Sequence, residues 1–273
     1  MTQLRHLSLF LLALAAGLSA TPRALVAQVD SPQGLHAEAA ELFALGNQAR
    51  ISYRKSALNW DPTLAAAAMQ HCLLMARNGN ISHQYNGEPE VSDRAATAGA
   101  HFSLIEENVA MGPDASGIHQ GWMKSPGHRE NLLSPEVDRV GIAVVARGNE
   151  LFAVADFARA VPVLSQAQVE ADVAGNLRAR GLTVLRDPNE ARAYCASSGR
   201  YRSTGIDAPN FLMRWQDADP AQLPQELIKK ALSGEFHQAA VGSCPAQGDQ
   251  PSFTVYRVAV LLYATGSAAF PTR

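Results

Sequence analysis

The chain has 273 residues, of which 47% are hydrophobic and 18% charged, and its net charge is −2. That length and composition suit one large domain or two modest ones with a real core. The charge is close to neutral and no Lys/Arg cluster stands out, which excludes a nucleic-acid partner recognised by charge.

Arg5, an apolar run from Leu7 to Leu18 and small residues up to Ala27 read as a secretory signal over residues 1–27. Cleavage is expected after Ala27, with Ala20 as the other candidate. The run is short for a membrane span, so no stable span is expected in the mature chain, an uncleaved anchor being the alternative. No Cys follows it, so a lipoprotein anchor is not expected. The expected location is secreted or periplasmic.

From His36 to Ser52 apolar residues recur at Ala39, Leu42, Phe43, Leu45 and Ala49, which predicts a helix. Asn59-Trp60-Asp61-Pro62 reads as a turn, with Asp61 capping the next helix and Pro62 at its first position. That helix runs to Arg77, with Leu64, Ala68, Cys72 and Met75 on one face. Asn78-Gly79-Asn80 ends it. Residues 81–90 form a loop carrying His83, and Val91 to Ala98 a short helix. Glu106 to Ala110 is a short extended piece. Ala115 to Lys124 is helical and stops before Pro126, so a turn would hold His128 after the Pro-Gly break. Arg139–Arg147 and Leu151–Phe157 alternate as strands around the turn at Gly148-Asn149.

Beyond Val161-Pro162 the pattern restarts. Helices are expected over Gln166–Arg180, Asn189–Ala196 and Gln225–Leu232. Strands are expected over Leu182–Leu185, Phe211–Trp215, Gln238–Ser243 and Phe253–Tyr263. The last is either a core strand or an open edge, and core is favoured because exposed apolar edges are usually covered. Of three cysteines, Cys72 sits in an Ala-rich helix and should pack as a small hydrophobe. Cys195 and Cys244 lie in one region and are predicted to pair, as export favours disulfides.

Three stretches resemble the CAP superfamily, the secreted domain of cysteine-rich secretory proteins, venom antigens and plant pathogenesis-related proteins. They are Ile81-Ser82-His83-Gln84, Glu106-Glu107-Asn108-Val109 and Trp122-Met-Lys-Ser-Pro-Gly-His128. The resemblance is to a bacterial variant and covers about residues 36–160. It implies an α+β fold, an α-β-α sandwich, here followed by a smaller α+β unit of unrecognised family over 165–273. In the family two His and two acidic residues line one cleft. His83, Glu107 and His128 match three of them. Glu106 replaces the Gly that precedes Glu in the family motif, and Ser125 stands where the second acid, three after Trp122, would be.

Two imidazoles and a carboxylate could hold Zn2+ or another divalent ion, with one position open to water. The competing reading is a buried His-Glu-His network that satisfies its own polar groups. Ser125, a His and Glu107 suggest a nucleophile, base and orienter, but no Gly-x-Ser-x-Gly elbow surrounds Ser125. Asn108, Trp122 and Arg129 are read as cleft support, with Arg129 pairing to Glu107, Glu130 or Asp138 or lying at a helix end. The reading favoured is a non-enzymatic binding module for a lipid, sterol or cell-envelope component. The alternative is a metal-assisted or Ser/His hydrolase, a peptidase acting on extracellular or cell-wall material.

Overall fold

The computed structural model describes residues 37–198, 208–245 and 252–264. The expected signal over 1–27 lies outside them. Among the described residues no helix is long and apolar enough to cross a membrane.

The first half reads α1 (Ala37–Ser52), β1 (Asn59–Trp60), α2 (Pro62–Asn78), α3 (Val91–Thr97) and β2 (Phe102–Gly112). It continues with α4 (Ala115–Lys124), α5 (Pro126–Leu133), β3 (Arg139–Arg147) and β4 (Glu150–Ala160). The four strands form one sheet in the order β1-β3-β4-β2, with β1 parallel to β3 and the other pairs antiparallel. The period of two splits each strand between two cores. Val140, Ile142, Val144, Ala153, Ala155 and Phe157 face α1, α4 and α5, where they meet Leu42, Phe43, Ile118, Trp122 and Leu132. Ala143, Phe152 and Val154 face α2, against Ala68, Cys72 and Met75. A sheet with helices on both faces is the expected α+β sandwich.

Local chemistry sets the element ends. Asp61 caps α2 by accepting from the Thr63 and Leu64 amides at 2.8 and 3.1 Å, with Pro62 next. Gly79, at φ +72°, closes the helix in the left-handed region, where a missing Cβ costs nothing. Gly141 lets α2 press onto β3, since a Cβ there would lie 2.0 Å from the Ala65 nitrogen. Buried Arg50 ties α1 to the end of α5 through the Leu132 and Ser134 carbonyls, both at 2.9 Å.

Three expectations change. Asn59-Trp60 is a strand and not only a turn, because its backbone pairs with Arg139 and Val140. The short piece at Glu106–Ala110 belongs to an eleven-residue strand, β2, paired with β4 along its length. Pro126 starts a helix instead of only breaking one. Ser125 is extended at φ −83° and ψ 122° between α4 and α5, and Pro126 occupies the first helical position, where its missing N–H costs nothing. His128 therefore sits in the first turn of α5.

The second half contains α6 (Gln166–Arg178), β5 (Thr183–Val184), α7 (Asn189–Ala196) and β6 (Phe211–Asp217). After them come α8 (Gln225–Ala231), β7 (Phe236–Cys244) and β8 (Tyr256–Ala264). Ser165 and Gln168 form a reciprocal capping box on α6. The sheet order is β5-β7-β8-β6. β8 is thus an interior strand, with Val258 to Leu262 fully buried. Cys195 and Cys244 form a disulfide, and Cys72 is free and buried. Burial pushes the Cys72 thiol up to about 12, as suits a packing residue rather than a reactive one.

Candidate functional site

β2 is an edge strand, so both of its faces and its free side are reachable by side chains from the two helical layers. Consecutive residues on it point to opposite faces. Glu107 shares the α2 face with Val109, and Asn108 the opposite one. The pair Glu107-Asn108 therefore serves two layers at once.

On the α2 side, Glu107 is buried and both of its carboxylate oxygens are engaged. Oε1 meets His83 Nδ1 at 2.8 Å and Oε2 accepts from Arg94 Nη2. The Arg94 side chain, from α3, is 3% exposed. It also donates to the Pro89 carbonyl at 3.0 Å and lies 3.7 Å from Glu88. Glu88 in turn meets His71 Nδ1 at 2.7 Å, and His71 Nε2 lies 2.7 Å from the Ser82 carbonyl. The loop over 81–90 is thus pinned to α2 and α3 by a buried polar chain that ends at the exposed His83 ring.

Behind Glu107 stands Asp156 of β4, its register partner, with no solvent exposure. Among the described residues neither Asp156 oxygen has a hydrogen-bond partner. Burial, reinforced by the Glu107 charge and opposed by Arg94, pushes Asp156 well above the usual carboxylate range. Burial without a partner favours the neutral form of Asp156, while Arg94 and His83 contact Glu107.

On the other side, Asn108 Nδ2 donates to the His128 carbonyl at 2.9 Å. Asn131 Nδ2 donates to the Glu107 carbonyl at 3.1 Å and to Asn108 Oδ1 at 3.0 Å. These bonds fix α5 on the strand and bring the His128 ring centroid to 6.4 Å from that of His83. Trp122 is buried, and its indole donates to the Val109 carbonyl at 3.2 Å. The two imidazoles are tuned in opposite directions. The hydrogen bond to Glu107 raises the pKa of His83, against burial and the Arg94 charge. Burial, helped by the charge on His83, lowers that of His128.

His83, Glu107 and His128 thus come together at the edge of the first sheet, beside Asn108 and Trp122. Ser125 does not join them. Its amide and carbonyl bond along the helices, and no hydrogen bond links its hydroxyl to a His or to Glu107 among the described residues. Arg129 is exposed and makes no ion pair there; Arg94 holds the carboxylate instead. The residues also do not fit a three-ligand divalent ion. Among the described residues no three His, Cys, Asp or Glu side chains are placed to hold one. A guanidinium on Glu107 removes the anionic field such an ion would need.

Arg94, Asp156 and Glu88 escaped the sequence reading. Asp156 left a signal, as a lone carboxyl in the apolar run Phe152-Ala-Val-Ala-Asp156-Phe157. Arg94 left none, because a short helix does not announce that one of its charges is buried.

Residues 43–157 match the profile of the CAP family, the cysteine-rich secretory protein family. A relative in Bacillus subtilis (strain 168), the uncharacterized membrane protein YlbC, is 29% identical over 105 residues. The match spans 38% of this chain and 30% of that protein's length. An extracellular protein containing an SCP domain from Bacillus anthracis str. Ames is 31% identical, with TM-score 0.41, covering 44% of this chain and 39% of that one. An outer surface protein from Borrelia burgdorferi is 22% identical, with TM-score 0.41, covering 44% of this chain and 90% of that one.

Proposed function

We propose, from the premise that residues 43–157 are a CAP domain, that the protein is an exported binding module and not an enzyme. Its cleft captures a ligand between His83 and His128. The observation that carries this reading is the full engagement of Glu107. One oxygen faces His83 and the other Arg94, so this carboxylate is not free to act as a base or a metal ligand. Ser125 stands outside the cluster, so no nucleophile is activated either.

The two rings suit one kind of ligand group. Nδ1 of His83 is spent on Glu107, and Nε2 becomes a donor when the ring is protonated, the form its raised pKa favours. Near neutral pH, His128 is the neutral ring and offers an acceptor nitrogen. A hydroxyl both accepts and donates, and can bridge the two. A sterol or another hydroxyl-bearing lipid or envelope component supplies such a group on an apolar body. Export agrees with the predicted signal, and with relatives described as extracellular or outer surface proteins.

Titration calorimetry of the mature protein with sterols, fatty acids and envelope lipids tests this reading. A His83→Ala/His128→Ala variant and a peptide and peptidoglycan hydrolysis assay run beside it. Saturable binding that the double variant loses supports the module. Turnover abolished by His128→Ala would overturn it in favour of a hydrolase. The absence of any saturable ligand would also count against it.

A further inference from the structure

The two sheets repeat one chain path. In each, a two-residue strand runs parallel to the first strand of a C-terminal hairpin, and the fourth strand lies antiparallel on the hairpin's far side. The element order also repeats, with α1, β1, α2, β2, α4, β3 and β4 matched by α6, β5, α7, β6, α8, β7 and β8. Asp61-Pro62 opens α2, and Asp187-Pro188 stands at the start of α7. The Asn59 amide bonds the Asp138 carbonyl, and the Leu185 amide bonds the Ala239 carbonyl, each two residues before its Asp. Both hairpins then place a glycine three residues after that carbonyl, under the following helix. A Cβ on Gly141 would lie 2.0 Å from the Ala65 nitrogen, and one on Gly242 2.2 Å from the Arg192 nitrogen.

That match gives a residue-level correspondence. Across the sheet from Gly141 come Asp156 and then Glu107. Across from Gly242 come Ala259 and then Arg214. The buried carboxyl is absent and the anchor carboxylate is a guanidinium. A second arginine joins it. Arg257 is the register partner of Gln216, two residues from Ala259 and on its face, so it is a diagonal neighbour of Arg214 at about 7–8 Å between Cα atoms. Both arginines line a cavity of about 370 Å³ with Cys195, Trp215, Gln216 and Val258.

The two cations have no carboxylate among the described residues. Arg214 Nη1 donates to the Ser197 carbonyl and hydroxyl, and its guanidinium lies 5.4 Å over the Tyr194 ring. Arg257 donates to the Pro245 carbonyl at 3.4 Å and the Cys195 carbonyl at 3.2 Å. Neutral acceptors orient both groups without cancelling their charge. Among the described residues the Nε and Nη2 edge of Arg214 stays free, in the fork geometry that takes an oxyanion through two bonds.

We propose that residues 166–264 are a second, reduced copy of the 37–160 fold with the charge of its site reversed. The pocket at Arg214 and Arg257 binds a small anion through a carboxylate or phosphate group.

The test is calorimetry and amide NMR on the mature chain, titrated separately with inorganic phosphate and with acetate. At least one anion should bind saturably, and added salt should weaken it. Arg214→Gln and Arg257→Gln should each weaken binding at least ten-fold. Lys229→Gln removes an equal charge from exposed α8 and should change nothing. If Arg214→Gln lowers the unfolding temperature, Arg214→Lys keeps stem and charge without the fork, and should still lose most of the affinity. Preference for one anion over the other tells which group the site takes. Overturning results are no saturable binding of either anion, affinity unchanged in both arginine variants, or equal weakening by Lys229→Gln.

Discussion

At the scale of single residues, the site turns on the buried carboxyl of Asp156 behind Glu107. Asp156 and Glu107 are register partners beside Arg94, and full burial raises the pKa of Asp156 and favours its neutral form. A carboxyl whose pKa rises on folding contributes stability that is fully present below its unfolded value, the ordinary Asp range. That contribution is lost as pH rises through the folded value. At neutral pH Asp156 is therefore a cost that the fold carries. Asp156→Asn keeps the shape and a donor toward Glu107 and removes the cost. Its unfolding temperature should exceed that of the wild type at pH 7, with the gain fading as pH approaches 4. A gain that persists at pH 4, or a loss at pH 7, would remove Asp156 from its protonated role.

At the scale of elements, close contact of helix on sheet is what sets the geometry. α2 lies on β3 at Gly141 with no room for a methyl group, and the atoms in the way are backbone, which cannot swing aside. Gly141→Ala should cost about 3 kcal/mol or more, at the upper end of overpacking penalties, read as a lowered denaturation midpoint. It should also disturb the His83–Glu107 contact, because α2 and α3 carry the 81–90 loop. Most elements were legible in the sequence, since their signals are local. Asp61-Pro62 starts α2, Gly79 stops it, and alternation marks β3 and β4. β1 and the full length of β2 were not, because a two-residue strand has no periodicity and β2 owes its extent to pairing with β4. The helix after Pro126 was read as a break. Proline is compatible with both, and the following residues decide which.

At the scale of the whole molecule, the second sheet is closed by the Cys195–Cys244 disulfide, which ties α7 to the end of β7. It spans a sequence separation of 49, for which the chain-entropy estimate is about 4 kcal/mol. Replacing both cysteines with serine should lower the unfolding temperature by a matching amount. Cys72 is too buried to offer a substitute partner. A double variant that unfolds like the wild type would show that the bridge constrains little. The halves also touch directly. The Thr254 amide bonds the Phe102 carbonyl at 2.8 Å, and Phe253 packs edge-on against Phe102 at 5.4 Å.

The sequence by itself determined the α+β layering and the cysteine pair, since each is written in short motifs or in local periodicity. His83, Glu107 and His128 could be named because they sit in recognisable runs. Only the tertiary structure decided what those residues do to one another. That Arg94 pairs with Glu107, that Asp156 lies buried without a partner behind it, and that Ser125 stays apart all depend on which strand lies beside which. Such contacts are set by pairing and burial between distant segments, and charge in a buried network has no signature in the order of residues along the chain.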